Sequence, residues 1–195
     1  MQPLTIRRPS REAPAKTADA IDLLVDCHGR IRHFTELAER LLDAKDAPDE
    51  LLADAARQLA RYFGVALPLH VADEDVSIAH RLRPFGKPAD VEQALLEMTH
   101  QHERMDGHLD VLVPAWQRIA ADVSALARER GVIAPRTRAL AVLMAPHLAM
   151  EEATIFPWIR RTIDPETLAT ITAELRARRG GAEHFAFDAS EVRRG

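Results

Sequence analysis

Two histidine–glutamate pairs have the residue types and the spacing of a metal site. His70 precedes Glu74 by four residues, and His147 precedes Glu151 by the same interval. On a helix this spacing places both side chains on one face, one turn apart. An imidazole nitrogen and a carboxylate oxygen so placed can bind one metal ion. The recurrence of the pair in two distant parts of the chain suggests a site for two metal ions.

Two further histidines lie on apolar helical stripes. His28 falls between Leu24 and Ile31, and His102 follows Met98 by one turn. A residue within such a stripe faces the core of a helical protein. These positions bring the number of imidazoles that point to one core to four.

The combined ligand set favours a two-iron site. Six protein ligands are too many for one tetrahedral zinc ion, and they suit two iron ions bridged by two carboxylates and a water-derived oxygen. Neutral imidazole also suits zinc and copper. Positions left open on the metals could accept oxygen, nitric oxide or peroxide. The predicted metal ligands are His28, His70, Glu74, His102, His147 and Glu151.

Several neighbouring residues leave alternatives open. Glu152 competes with Glu151 for the metal, although it points about 100° away on an ideal helix. Asp106, one turn after His102, is either a ligand or a group that orients an imidazole. Cys27 is expected to face away from the site, and no catalytic residue or organic cofactor fingerprint is identified. Polar or terminal surroundings exclude three histidines from the ligand set: His33, His100 and His184.

The elements that must position these residues are predicted to be helices. Apolar residues at helical spacing predict segments 17–43, 49–82, 89–130 and 135–163, and a short fifth helix over 164–178. Thr17 or Asp19 is expected to cap the first segment. At Pro68 we expect either a kink or two abutting helices, and we expect an end at Gly131 and a new start at Pro135. Long helices with short connections can form an antiparallel bundle.

Composition supports an all-α domain. The 195 residues are 47% hydrophobic and only 5% aromatic, with few β-branched residues, which disfavours a large sheet. A net charge of -4 predicts neither nucleic-acid nor membrane binding. The single cysteine and the absence of an apolar run near ~20 residues predict a cytoplasmic protein. We expect one domain over residues 17–179, with flexible tails at 1–16 and 180–195.

Four segments around the predicted ligands carry a family resemblance. They are Cys27-His28-Gly-Arg-Ile-Arg, Leu69-His70-Val-Ala-Asp-Glu74, Gln101-His102-Glu-Arg and His147-Leu-Ala-Met-Glu151-Glu152-Ala-Thr-Ile-Phe156-Pro157. The last is the most specific, because it combines a histidine, paired acids and a closing Phe-Pro. Over about residues 17–163 the chain resembles the hemerythrin-like (HHE cation-binding) family. The resemblance implies an antiparallel up-down four-helix bundle with a non-haem di-iron centre.

The sequence differs from the oxygen-carrying hemerythrins in two places. Those proteins have His-x-x-x-His on the third helix, where this chain has His102 followed by Asp106. They have His-x-x-x-x-Asp on the fourth helix, where the acid here is Glu151 or, at the longer spacing, Glu152. Both differences are similar to the bacterial HHE branch, which is associated with oxygen, nitric oxide, peroxide or iron.

Three functional hypotheses follow. The first is a di-iron protein that binds, senses or reacts with a small diatomic or peroxide ligand. The second is an iron-responsive regulatory module whose folding depends on metal occupancy. The third is a metal-free structural bundle in which the histidines only form core hydrogen bonds.

Overall fold

The computed structural model describes residues 18–44 and 46–183, with side chains as far as residue 180. Within these ranges the chain is helical and contains no strand, so the all-α prediction is confirmed. The predicted tail at 1–16 lies outside the described residues, as do Thr17 and the part of the predicted tail 180–195 that follows residue 183. The five helices are α1 (Ala20–Asp43), α2 (49–82), α3 (Ala89–Ala121), α4 (Ala125–Thr162) and α5 (Pro165–Glu183).

The helices α2 and α4 contain π-helical turns. In α2 these turns are Tyr62–Ala66 and Asp73–Ala79, and in α4 the turn is Glu151–Ile155. Pro68 and Pro157 each lie in the first turn of the α-helical segment that follows a π turn. A proline interrupts the α-helical hydrogen-bond ladder because it lacks an N–H group. The interruption predicted at Pro68 is therefore a π turn within one continuous helix.

The boundary between α3 and α4 differs from the prediction. Asp122 has an extended backbone (φ -146°, ψ 102°) and ends α3. Its carboxylate accepts hydrogen bonds from Ser124, at 3.0 Å from the backbone N and 2.6 Å from Oγ. The helix α4 then begins at Ala125, so the predicted end near Gly131 and start at Pro135 were wrong. Both residues lie inside α4, where Pro135 removes one backbone hydrogen bond without ending the helix.

Aspartates begin the first and last helices. Asp19 forms a capping box with Asp22 at the start of α1, as one of the two predicted caps. Asp164 accepts a hydrogen bond from the Thr167 backbone N at 2.8 Å at the start of α5. The helix α5 continues to Glu183, beyond the predicted end at 178.

Two apolar clusters show the antiparallel arrangement. The large core includes Ile31, Leu67, Met105 and Leu148. The small core includes Leu24, Ile78, Met98 and Ile155. Along α1 and α3 the chain passes from the small core to the large core, and along α2 and α4 it passes in the opposite direction. Neighbouring helices of the bundle are therefore antiparallel, as predicted. On each of α1 to α4, polar residues lie between the part in the small core and the part in the large core.

The packing order places α1 and α3 each between α2 and α4. The helix α5 packs against α1 and the π turn of residues 73–79, with Ile171 and Leu175 buried in the small core. By length and composition α4 also meets the criteria for a membrane span, with a mean hydropathy of 1.3 in its most apolar window. Core helices of water-soluble proteins meet the same criteria, and 44% of that window is buried here.

A pair of leucines on α3 tests the packing. Leu112 is fully buried in the large core, whereas Leu96 is 56% exposed. Leu112→Ala should lower the free energy of unfolding by about 2–5 kcal/mol, because it removes buried methyl groups and leaves a cavity. Leu96→Ala should change it by no more than about 0.5 kcal/mol. Urea denaturation of both variants measures the difference, and equal effects would contradict the assigned α3 face.

Candidate metal centre

The polar layer between the two cores contains all six predicted ligands. They form two groups, each with mutual distances of at most 4.8 Å between its ligand atoms. The first group takes its histidines from α1 and α2, and the second from α3 and α4, while both glutamates belong to both groups. All six side chains are buried. The groups are His28, His70, Glu74, Glu151 and Glu74, His102, His147, Glu151.

Each glutamate divides its two oxygens between the two histidine pairs. Glu74 Oε1 lies 3.1 Å from His70 Nε2 and 3.8 Å from His28 Nε2, whereas its Oε2 lies 3.3 Å from His102 Nε2. Glu151 Oε2 lies 3.2 Å from His28 Nε2, and its Oε1 lies 3.2 Å from His147 Nε2. The two carboxylates are therefore arranged as bridges between two positions, with two imidazoles at each.

The distances fit metal coordination. Imidazole nitrogens and carboxylate oxygens lie about 2.1 Å from a first-row metal ion. Two such atoms about 90–110° apart on one ion are about 3.0–3.4 Å from each other, and two on opposite sides are about 4.2 Å apart. Four of the five distances between imidazole Nε2 and carboxylate oxygen are 3.1–3.3 Å. The side chains thus already stand close to the separations that two ions would require.

The chemistry of the facing atoms also fits a pair of cations. Ionised carboxylates only accept hydrogen bonds, and a neutral imidazole nitrogen that carries no proton is also an acceptor. Both oxygens of Glu74 and Glu151, and Nε2 of His28, His70 and His102, are buried without a hydrogen-bond partner among the described residues. Unpaired buried carboxylates are costly. A metal ion at each position would satisfy all of these atoms at once.

Protons are the alternative source of positive charge when no metal is bound. Burial opposes a charge on His28 and His102, but nearby carboxylates (Glu151 and Glu74 for His28, Asp75 and Glu74 for His102) raise the pKa of each to about 10. Burial lowers the pKa of His147 to about 4. Burial and the nearby Glu74 carboxylate raise the pKa of Glu151 to about 7. The metal-free site therefore holds protons that metal binding would displace.

Glu151 and Glu152 have different positions, which the sequence left open. Glu151 is fully buried between the histidine pairs, as described above. Glu152 lies on the outer side of His28, where its Oε1 is 2.8 Å from His28 Nδ1. Arg32 Nη2 donates to both oxygens of Glu152 at 2.9 Å. Glu152 therefore orients His28 and leaves its Nε2 directed towards the centre.

A chain of two hydrogen bonds similarly orients His147. Gln101 Nε2 donates to Glu97 Oε1 at 2.7 Å, which leaves Gln101 Oε1 facing His147 Nδ1 at 2.8 Å. Because an amide oxygen only accepts, Nδ1 carries the imidazole proton and Nε2 keeps its lone pair. On α3, His102 Nδ1 lies 3.4 Å from Asp75 Oδ1. Outer partners on neighbouring side chains thus direct these rings towards the glutamates.

Comparison with known families agrees with this geometry. The family described as Hemerythrin HHE cation binding domain matches residues 19–159, which is well over half of the chain. The chain belongs to this family. It is thus an HHE cation-binding domain with two adjacent buried His/Glu groups, consistent with a dinuclear metal site. No curated protein matches the chain in sequence.

The glutamates of this HHE domain both lie in π-helical turns. Glu74 belongs to Asp73–Ala79, and Glu151 begins Glu151–Ile155. A π turn accommodates one extra residue and is common at functional sites. It changes the direction of the side chains that follow without ending the helix. One turn after Glu151, Ile155 and Phe156 pack in the small core. The centroid of the Phe156 ring lies 5.2 Å from that of the His28 ring.

Other residues singled out in the sequence have outer positions. Asp106 is exposed and lies, with Asp75 and Asp110, on the wall of a groove of about 550 Å³ between α2 and α3. It belongs to neither His/Glu group. Cys27, which was expected to face away from the site, is buried, and its sulfur accepts hydrogen bonds from Arg30 and Arg179.

Sequence reasoning did not identify Gln101, Asp75 or the contacts of Cys27. Gln101 precedes the predicted ligand His102 and Asp75 follows the predicted ligand Glu74, but adjacency alone gives no indication of a contact. Gln101 contacts the histidine of another helix, and Asp75 likewise reaches across to α3. The only signal was a polar residue at the edge of an apolar stripe, and that signal is common at surfaces.

The metal-free protein should lose stability as the pH rises above neutrality. Histidines have a pKa near 6.5 when unfolded. The folded-state pKa values of His28 and His102 are about 10, so their protonation stabilises the fold fully below about pH 6.5 and is lost towards pH 10. Thermal denaturation with a chelator between pH 6.5 and 9.5 should show a falling Tm.

A double variant, His28→Gln with His102→Gln, is the control for this pH effect. It removes both titrating imidazoles and should give a shallower dependence over the same range. A Tm of the wild-type apoprotein that rises from pH 6.5 to 9.5 would contradict the assigned protonation of these rings.

Proposed function

We propose that this HHE domain binds two iron ions as a non-haem di-iron centre. One ion would be held by His28 and His70, the other by His102 and His147, with Glu74 and Glu151 bridging both. The observation that carries the proposal is the division of each carboxylate between two histidine pairs. Imidazole and carboxylate together suit iron, whereas soft thiolate donors, which select other metals, do not belong to either group.

The donor number supports a role in binding a small ligand. Each position has two imidazole nitrogens and one oxygen from each glutamate, so four protein atoms are available to it. Iron sites with fewer than six protein ligands have room for an exogenous molecule. We infer that this molecule is oxygen, nitric oxide or peroxide, which the domain binds, senses or converts. Bound iron would supply the redox and ligand-binding chemistry.

The residues around the site would control which molecules reach it. Phe156, Ile78, Met98 and Ile155 belong to the apolar core on one side, which excludes water from the bridging carboxylates. Outer hydrogen bonds hold His28 and His147 with Nε2 directed inward, so that binding metal at these two rings requires little reorientation. We further propose a cytoplasmic protein without a nucleic-acid or membrane partner, consistent with its charge of -4 and single cysteine.

Substitution of the adjacent glutamates provides a matched test of the ligand set. Glu151→Gln should reduce tightly bound iron from two ions per chain to one or none, because it removes a bridging charge. Glu152→Gln should keep two ions and weaken their binding by about 10–100-fold, as expected for a partner that only orients a ligand. Iron is measured by elemental analysis after anaerobic reconstitution. Asp106→Asn, which alters the nearby groove, should match the wild type.

The ligand chemistry is tested with optical spectra of the anaerobically reconstituted protein. Two irons per chain and new absorption bands on addition of oxygen, nitric oxide or peroxide are expected. Trace metal only, or preference for zinc with no spectral response, would refute a di-iron function. Retention of all metal by His70→Leu with His147→Leu would also exclude the assigned ligands.

A further inference from the structure

The helix α5 adds a component to the domain beyond the family match. The match ends at residue 159, and α5 (Pro165–Glu183) follows it. This helix packs on α1 and on the π turn of residues 73–79 that contains Glu74. The helix α5 therefore lies next to the His28/His70 side of the site.

Two arginines of α5 pair with a buried aspartate beside Glu74. Asp73 is fully buried, and its Oδ1 accepts from Arg178 Nη1. Arg179 Nη2 lies 2.5 Å from Asp73 Oδ2. Arg178 also donates to Ser77 Oγ, one turn later, at 3.1 Å. Because a buried carboxylate needs a charged or hydrogen-bonding partner, these pairs fix the end of α5 against the π turn.

Arg179 also contacts the residue before His28. Its Nη2 donates to Cys27 Sγ at 3.2 Å, and Arg30 Nη2 donates to the same sulfur at 3.0 Å. Cys27 is buried and directly precedes His28 in α1. Arg179 therefore links the residue before His28 to Asp73, the residue before Glu74.

We propose that Arg179 is a positioning residue for the His28/His70 metal position and acts through Cys27 on His28. Asp73 and Arg178 anchor the end of α5, and Arg179 holds the Cys27 sulfur, which fixes α1 at the next residue, His28. The inference deepens the proposed function and depends on it, since it assumes that two metal ions bind. It assigns α5 a part in the properties of one metal position and not of the other.

The test is a stepwise anaerobic titration of the metal-free, full-length protein with Co²⁺. Cobalt binds the same nitrogen and oxygen donors, and its visible absorption reports the geometry of each position. Arg179→Gln should weaken one of the two binding steps by about 10–100-fold and shift the absorption of that step. The other step should keep its wild-type affinity and spectrum. Arg179→Lys, which retains the charge, should restore part of the effect.

Arg176→Gln is the matched control on the same helix. Arg176 Nη2 donates to the Ala18 carbonyl at 2.9 Å. This variant should bind Co²⁺ as the wild type does. If it has the same effect as Arg179→Gln, or if Arg179→Gln weakens both steps equally, the arginine acts only on the stability of the fold and the proposal is wrong.

A Cys27→Ala variant tests whether Arg179 acts through Cys27. It is used in place of Arg179→Gln if the Arg179→Gln protein does not fold. It should reproduce the altered step, and the combination with Arg179→Gln should have less than the sum of the two effects. If both Co²⁺-binding steps of Cys27→Ala have the wild-type affinity and spectrum, the proposal is wrong. Failure of the wild-type protein to bind two Co²⁺ ions would instead refute the dinuclear site itself, so the two failures are distinguishable.

Discussion

The fold depends on the burial of two carboxylates between four imidazoles. Glu74 and Glu151 are almost wholly buried, and each raises the electrostatic cost of ionising the other. The arginines near this layer pair with other acids, Arg32 with Glu152 and Arg178 with Asp73. Positive charge must therefore be supplied at the centre itself, either by protons on histidines or by metal ions. The requirement links the protonation of the site, its metal content and the stability of the bundle.

The apolar parts of the protein are arranged around this layer. Each of α1 to α4 crosses from one core to the other and contributes at least one ligand at the crossing. Apolar packing on both sides stabilises the bundle and holds the helices at a separation that suits the six side chains. A site within a helical bundle can then be specified by side chains on facing helices, without a binding loop. The π turns that contain Glu74 and Glu151 change the direction of the side chains that follow without ending either helix.

The sequence predicted much of the arrangement, because the information was local. Helical periodicity identified one inward histidine on each of four helices, and the four-residue spacing identified Glu74 and Glu151. The same spacing favoured Glu151 over Glu152, but the contact of Glu152 with His28 joins two helices and has no local sequence signal. The boundary at Asp122 was missed for another reason. Gly131 and Pro135 are stronger helix breakers in isolation, but the packing of α4 outweighs their local preferences.

Contacts between helices could not be predicted from the sequence, and they make the surroundings of the two His/Glu groups differ. The ligand types are the same at both positions, two imidazoles and two shared carboxylates. Outside them, one ring of each pair is backed by a carboxylate, Glu152 for His28 and Asp75 for His102. Of the second rings, His147 faces the amide of Gln101, whereas Nδ1 of His70 has no hydrogen-bond partner among the described residues. Since an outer partner affects the basicity of its imidazole, a nearly symmetric ligand set can still give two inequivalent metal ions.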